Sequence, residues 1–265
     1  MPLSEPISNN VKEKLARDEV VASMTVRLVR GIEIARIAKS AGFDSLYIDL
    51  EHSPLSLEAT GQIAMAALAL GIAPFVRVPA NTPEYISRVL DAGALGVIAP
   101  GVRSPQEARA VVAAAKYAPL GRRGAAGGLP HFNYASIPAA DANAAMNAAT
   151  MVMIQCESAE AIDRVEEIAA VEGVDLIMIG TNDFLADIGM PGAFEHPRVR
   201  DAYARTIAAC RACGKHVGIG GLPSRPRLIG EFVKLGARYV STGTDLSFLL
   251  AEASERARQV RALSL

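Results

Sequence analysis

The sequence predicts an α/β protein folded as a single (β/α)8 TIM barrel, and three observations carry that reading. Eight short apolar runs recur along the chain, each too short for a helix. Amphipathic helical segments fill most of the intervals, and several of them end in a glycine before the next run. A chain of 265 residues that is 51% hydrophobic and 5% aromatic can bury one large aliphatic core, and residues 1–265 read as one domain behind a polar tail at 1–10.

After the tail, MPLSEPISNN, a short helix is expected over Val11–Arg17, and Val20–Val26 forms the first run. The amphipathic segment Ile32–Ala41 closes on the glycine of SAGFD, and Ser45–Asp49 follows as strand two. Leu57–Leu70 ends at LALGIA before Pro74–Val78. Glu84–Ala92 ends at DAGALG before Gly96–Pro100, and Pro105–Lys116 is the next helix. The connection from Gly101 to Thr150 is long. It contains RRGAAGGLPHFNYASIP and an alanine-rich helix, Ala139–Ala149. Strands at Met151–Cys156 and Asp175–Gly180 flank the helix Ala159–Ala170, and a second, shorter insertion spans Asn182–His196. Lys215–Ile219 and Arg238–Ser241 complete the eight, with KLGARY between them, and Leu246–Ala262 is a final amphipathic helix that closes the barrel or packs on a neighbouring subunit. Both insertions are expected to shape a substrate pocket at the carboxyl face.

Composition narrows the function. The net charge is −1 and the basic residues are scattered, so neither nucleic acid nor an anionic membrane is an expected partner, and a small molecule is. The N-terminus lacks a basic-then-apolar leader, and the longest apolar run, from Ile63 to Ala73, is too short to span a bilayer. A cytoplasmic location is expected. Cys210 and Cys213 form a C-x-x-C inside a helix without the second pair that zinc requires.

In such barrels ligands sit at the carboxyl ends of the strands. Strand two runs into Asp49, Glu51 and His52, and strand three ends on FVRVP with Arg77. A histidine beside a carboxylate serves general acid–base chemistry, and an arginine stabilises a developing oxyanion. Equally, His52 reads as a surface loop residue and Arg77 as an ion pair with Asp49 or Glu51. Strand five ends on Glu157 and strand six leads to Asp183. Two carboxylates at equivalent places on adjacent strands suit a hard divalent cation such as Mg²⁺, although each also suits a helix cap.

Taken together, Y-I-D-x-E-H, V-R-V-P, I-Q-C-E and G-T-N-D fall on strands two, three, five and six in barrel order. With D-A-G at Asp91, Y-x-P-x-G-x-R-G ending at Arg123 and Gly124, and V-E-G-V-D before strand six, the chain from about Val20 onward resembles the metal-dependent hydroxyketoacid aldolases, typified by 2,4-dihydroxyhept-2-ene-1,7-dioate aldolase, of the pyruvate/phosphoenolpyruvate barrel superfamily. The resemblance implies a carbon–carbon lyase that reversibly cleaves a 4-hydroxy-2-oxoacid to pyruvate and an aldehyde, in aromatic or sugar acid catabolism, with Mg²⁺, Mn²⁺ or Co²⁺ supporting the pyruvate enolate. It further implies that Glu157 and Asp183 hold the metal and that His52 with Asp49 forms the acid–base pair. Arg77 would bind the keto oxygen, and Asp91 would join the site across a subunit contact. Gly180, Thr181, Asn182, Arg27 and Arg123 are the substrate-binding candidates. A homo-oligomer, a hexamer built as a trimer of dimers, is implied too, with the C-terminal helix exchanged between subunits.

Departures from the family pattern fall at MTVRLVRG, which places Arg27 near the end of strand one, and at GGLPHFNY, residues 127–134. Both segments are candidates for the aldehyde side, so the acceptor does not carry over, and Arg27 reads equally as a structural ion pair. No lysine lies at the carboxyl end of a strand, which argues against a Schiff-base route. Other readings are a lyase acting on a coenzyme A ester, an isomerase using GIGGLPS and STGTD as phosphate loops, and a non-catalytic ketoacid sensor.

Overall fold

The computed structural model describes residues 7–263, so residues 1–6 of the expected tail lie outside the described residues. Eight parallel strands close into a barrel in sequence order: β1 (Val21–Val26), β2 (Ser45–Asp49), β3 (Ala73–Arg77), β4 (Gly96–Ala99), β5 (Met151–Cys156), β6 (Leu176–Gly180), β7 (His216–Gly220) and β8 (Tyr239–Thr244). β8 pairs with β1 to complete the ring. The eight predicted strands are all present, most within a residue or two of their expected ends, and the TIM barrel is confirmed.

Helices surround the ring. They are α1 (Asn10–Ala16), α2 (Glu33–Ser40), α3 (Leu57–Ala69), α4 (Pro83–Asp91), α5 (Pro105–Ala115) and α6 (Ala139–Ala149). In the second half follow α7 (Ala159–Asp163), α8 (Val165–Ala169), α9 (Thr181–Asp187), α10 (Pro197–Ala212), α11 (Pro226–Leu235) and α12 (Asp245–Arg261). The single helix expected at Ala159–Ala170 is broken at Arg164, where ψ is 15° and the helix does not continue. Arg205 of α10 takes the Asp163 carbonyl with Nη2 at 2.8 Å, a long-range contact that periodicity does not carry.

Side chains alternate along each strand, so one parity fills the lumen and the other packs on the helices. Ile48, Val76, Val97, Ile154, Ile177 and Ile219 face outward into the main core. Tyr47, Phe75, Met153, Met178 and Tyr239 fill the lumen, and Val11 and Leu15 of α1 stop its N-terminal end. Moving up the same parity, the residues turn polar at the carboxyl end: Tyr47 is followed by Asp49, Phe75 by Arg77 and Met153 by Gln155. The apolar lower layers hold the ring together. The last inward layer is left for charge.

The long connection does not lie where the sequence reading puts it. α5 follows β4 after a short loop, so the extra residues, 116–150, join the end of α5 to the start of β5 at the opposite, N-terminal face. There Tyr117, Leu129, Phe132 and Met146 form a small core of their own, and the His131 ring nitrogen Nε2 lies 3.0 Å from the Ala94 carbonyl. The expectation that this insertion, including residues 127–134, shapes the pocket of its own chain is therefore corrected. The connection after β6 does open at the carboxyl face, but it begins directly as helix α9.

Gly96 opens β4 because no side chain fits there. A β-carbon would overlap the Met151 carbonyl oxygen and come within 2.9 Å of the Phe75 ring. Gly96→Ala is expected to lower unfolding free energy by about 3 kcal/mol, the cost of overpacking against a strand that cannot yield. A urea titration whose midpoint matches the parent's at equal slope would contradict this.

Candidate active site

A cavity of about 330 Å³ opens at the carboxyl end of the ring, lined from β1 through Thr25 and Arg27, from β3 through Arg77 and from β6 through Gly180 to Asp183. Behind the lining arginines Asp49 is fully buried at the end of β2, aligned with Arg77 in the β2–β3 register. Arg77 grips it side-on, Nε to Oδ1 at 2.8 Å and Nη2 to Oδ2 at 2.6 Å, while Nη1 reaches Glu51 at 2.7 Å. Arg27 donates its Nε to Asp49 Oδ2 from the other side at 2.6 Å. Burial alone would raise the Asp49 pKa, but the hydrogen bonds and charge of Arg77, with the charge of Arg27 behind them, hold it below the ordinary carboxylate value. Asp49 stays ionised, and both arginines stay fixed on it.

This corrects the expected pairing of Asp49 with the His52 imidazole. Asp49 Oδ1 accepts the backbone N–H groups of Glu51 and His52, at 3.1 and 3.2 Å, and so shapes the turn rather than holding the ring. With its oxygens taken by two guanidinium groups and two amides, the carboxylate has nothing left for an imidazole. The carboxylate nearest the ring is Glu51, whose Oε2 lies 3.7 Å from Nε2, and the His52 side chain is half exposed at the cavity's rim.

On the far side of the mouth Glu157 is held by two neutral donors, Gly101 N–H at 2.6 Å and Gln155 Nε2 at 2.6 Å. Gln155 is itself positioned by Tyr47, whose hydroxyl donates to its Oε1 at 3.2 Å. Burial raises the Glu157 pKa, Gln155 opposes that, and the nearby charge of Asp183 adds to the rise. Among the described residues neither Glu157 nor Asp183 forms an ion pair within the chain. Asp183 lines the cavity, and Glu157 stands near enough for the Asp183 charge to act on it, so two carboxylates without internal compensation lie side by side at this edge of the mouth. Gly180 makes room for them, since a β-carbon there would lie 2.5 Å from Glu157 Oε2.

The remaining candidates divide. Thr181 lines the cavity but is buried, and its hydroxyl is engaged by the Gly220 carbonyl at 2.8 Å and Tyr203 at 2.9 Å, so its side chain is structural. Asn182 is exposed and contacts Gly221. Asp91 and Arg123 pair at 2.6 Å near the C-terminus of α4, on the N-terminal side of the barrel. The Arg123 side chain is wholly buried there over the Tyr117 ring, which corrects its expected contact with substrate bound in its own chain. Gln155 received no role from sequence, and Glu51 received that of an ion-pair partner for Arg77, which the structure shows. The first was within reach, because Gln155 stands two residues before Glu157 with inward parity.

Comparison with known proteins agrees with the geometry. The family model described as HpcH/HpaI aldolase/citrate lyase matches residues 30–251. A 4-hydroxy-4-methyl-2-oxoglutarate aldolase of Hapsidospora irregularis is 37% identical over 260 residues, covering 97% of this chain and 96% of that one. A 4-hydroxy-2-oxo-heptane-1,7-dioate aldolase of Salmonella dublin is 36% identical over 222 residues, covering 83% and 82%. The crystal structure of an HpcH/HpaI aldolase from Desulfitobacterium hafniense superimposes with a TM-score of 0.90 at 29% identity, over 96% of this chain and 97% of that one.

Removing the Asp49 charge would leave Arg77, 4% exposed, with Glu51 as its one remaining anionic partner. Asp49→Asn is expected to destabilise the fold by about 3 kcal/mol, because a buried charge left with one exposed-side partner costs more than the lost pair contributed. Chemical denaturation of the variant reads this directly. Parental stability would show that the pair is not a structural element of the mouth.

Proposed function

We infer that this chain, which belongs to the HpcH/HpaI aldolase/citrate lyase family, is a carbon–carbon lyase that splits a 4-hydroxy-2-oxoacid reversibly into pyruvate and an aldehyde. The observation that carries the reading is a cavity lined by Asp183 of α9 and Arg77 of β3, with Glu157, just after β5, near enough for the charge of Asp183 to act on it and without an ion-pair partner among the described residues. Such a site can hold a 2-oxoacid and stabilise negative charge on its keto oxygen.

Glu157 and Asp183 fit a hard divalent cation. Both are oxygen donors, they repel each other without a basic partner, and Gln155 and Gly101 fix one of them by neutral hydrogen bonds that leave its charge intact. Two protein carboxylates suit Mg²⁺, Mn²⁺ or Co²⁺ better than an all-protein cage. When bound, such an ion supplies Lewis-acid polarisation of the substrate's carboxylate and keto oxygens.

The chain's own groups supply the rest. Asp49 and Glu51 take three of the five N–H bonds of Arg77, and the remaining two can face an oxyanion at the keto oxygen. His52, with Glu51 behind its ring, is placed at the rim for proton transfer. In cleavage the 4-hydroxyl gives up its proton, the C3–C4 bond breaks and C4 becomes the aldehyde carbon. C3 then takes one proton to become the pyruvate methyl group. Addition is the reverse.

Asp91 belongs to this proposal through a second copy of the chain, since in its own chain it lies on the side of the barrel away from the cavity. A homo-oligomer follows, a hexamer assembled as a trimer of dimers and located in the cytoplasm, with Leu249 and Leu250 of α12, 61% and 63% exposed, available to a partner or exchanged with one. Among the described residues no helix is long and apolar enough to cross a membrane.

The test is exchange of the pyruvate methyl protons in D₂O, which reports enolisation before any acceptor is known. Protein supplied with Mn²⁺ is expected to exchange, chelator to abolish it, and Glu157→Gln to reduce it by at least about a hundredfold with the fold intact. Exchange that persists at the parental rate in Glu157→Gln under chelation would remove the metal reading.

Arg77→Lys is expected to lose both exchange and cleavage, because an ammonium cannot replace the planar fork that spans Asp49, Glu51 and substrate. His52→Ala is expected to lower cleavage by about a hundredfold while Mn²⁺ binding stays parental. Parental exchange by a folded Arg77→Lys variant would return that arginine to a purely structural role.

A further inference from the structure

Arg27 is anchored more firmly than a rim residue needs to be. Its backbone N–H donates to Asp245 Oδ1 at 3.0 Å, and the next two amides, Leu28 and Val29, donate to Oδ2 at 2.9 and 2.8 Å. Asp245 is itself buried at the start of α12, so the last helix of the barrel holds the turn after the first strand. From that fixed backbone the side chain reaches inward and lines the cavity.

Its guanidinium is only partly used. The contact with Asp49 is single, through Nε, to an oxygen that Arg77 Nη2 already holds at the same 2.6 Å. Asp49 has a complete side-on partner without it. Among the described residues neither Nη of Arg27 has a hydrogen-bond partner, and the side chain is 36% exposed beside the cavity. A purely structural ion pair would close the side-on fork on Asp49. Here the end-on fork is left open.

Position gives the fork its meaning. In a ring closed in the order β1 to β8, β1 lies across the mouth from β5, so Arg27 stands opposite Glu157. Around it the β1–β8 wall is polar: Thr25 and Ser241 share a hydrogen bond at 3.0 Å. A ligand whose 2-oxoacid end sits at the carboxylate pair and Arg77 therefore extends toward a cation set among hydroxyls, not toward an apolar wall. One planar fork with two free nitrogens matches the two oxygens of a carboxylate.

We propose that Arg27 is the specificity-determining residue for the acceptor half of the substrate, and that it selects an acceptor bearing a carboxylate, so that the hydroxyacid cleaved is a dianion. This rests on the pyruvate-aldolase reading of the cavity.

The experiment compares addition of pyruvate to two matched pairs of aldehydes, glyoxylate against glycolaldehyde and succinic semialdehyde against butanal, by the parent protein with Mn²⁺. In at least one pair the carboxylated aldehyde is expected to have a kcat/KM at least about tenfold above its neutral partner. Arg27→Met should lower that preference about tenfold to a hundredfold, the range for losing a charge-assisted hydrogen bond, and Arg27→Lys should restore only part of it. Pyruvate proton exchange is run beside every assay. No exchange by the parent sinks the aldolase reading itself. Exchange by the parent without preference in either pair, or a preference that survives in Arg27→Met, overturns the role of Arg27 alone. The preference of the parent is read without any variant, so a misfolded substitution does not shelter the proposal.

Discussion

Everything at the mouth of this barrel depends on one buried carboxylate and the two arginines that compensate it. Asp49 is fully buried, and an isolated charge there would not survive folding in ionised form. Arg77 and Arg27 meet it from the neighbouring strands on either side, and its remaining capacity binds the amides of the following turn. One side chain thereby fixes a cation on β3, a cation after β1 and the course of the loop carrying His52. The arrangement is also why the imidazole needs another neighbour. A carboxylate that organises three segments has no lone pair to spare for a fourth.

The other half of the mouth is organised by the opposite device. Glu157 is held by an amide and a backbone N–H, neither of which cancels its charge. Neutral donors orient a carboxylate and leave it negative, and the glycine at the end of β6 leaves the space that its oxygens fill. So the cavity has one edge where charge is satisfied internally and one where it is not. The asymmetry between them, more than the inventory of residues, marks where a positively charged group belongs.

Most of the fold was legible because parallel strands buried on both faces appear as short apolar runs, and glycine marks the ends of the helices between them. Their places at the ends of strands two and three carried Asp49 and Arg77 to the mouth, and the parity of strand five carries Gln155 there too. Three things were not legible. The break at Arg164 exposes the Asp163 carbonyl to Arg205, 42 positions later, and no local pattern records that contact. The partner of His52 depended on which groups had already claimed Asp49, a competition visible only in three dimensions. The placement of residues 116–150 turned on whether the length falls before or after α5, because a βα connection opens at the mouth and an αβ connection at the opposite end. Counting from strand to strand hides that difference, and it displaced Arg123 from the cavity along with the loop.

The contact between Asp245 and the amides after β1 joins residues more than 210 positions apart and seats the first strand's turn on the last helix. On the ribosome, therefore, the mouth cannot be finished before Asp245 has been made. The N-terminal strands can pair among themselves, but the turn bearing Arg27 remains without its anchor until β8 and the beginning of α12 have emerged. Maturation of the pocket thus waits on the last strand of the ring, and a nascent fragment that stops short of Asp245 would leave the rim unset.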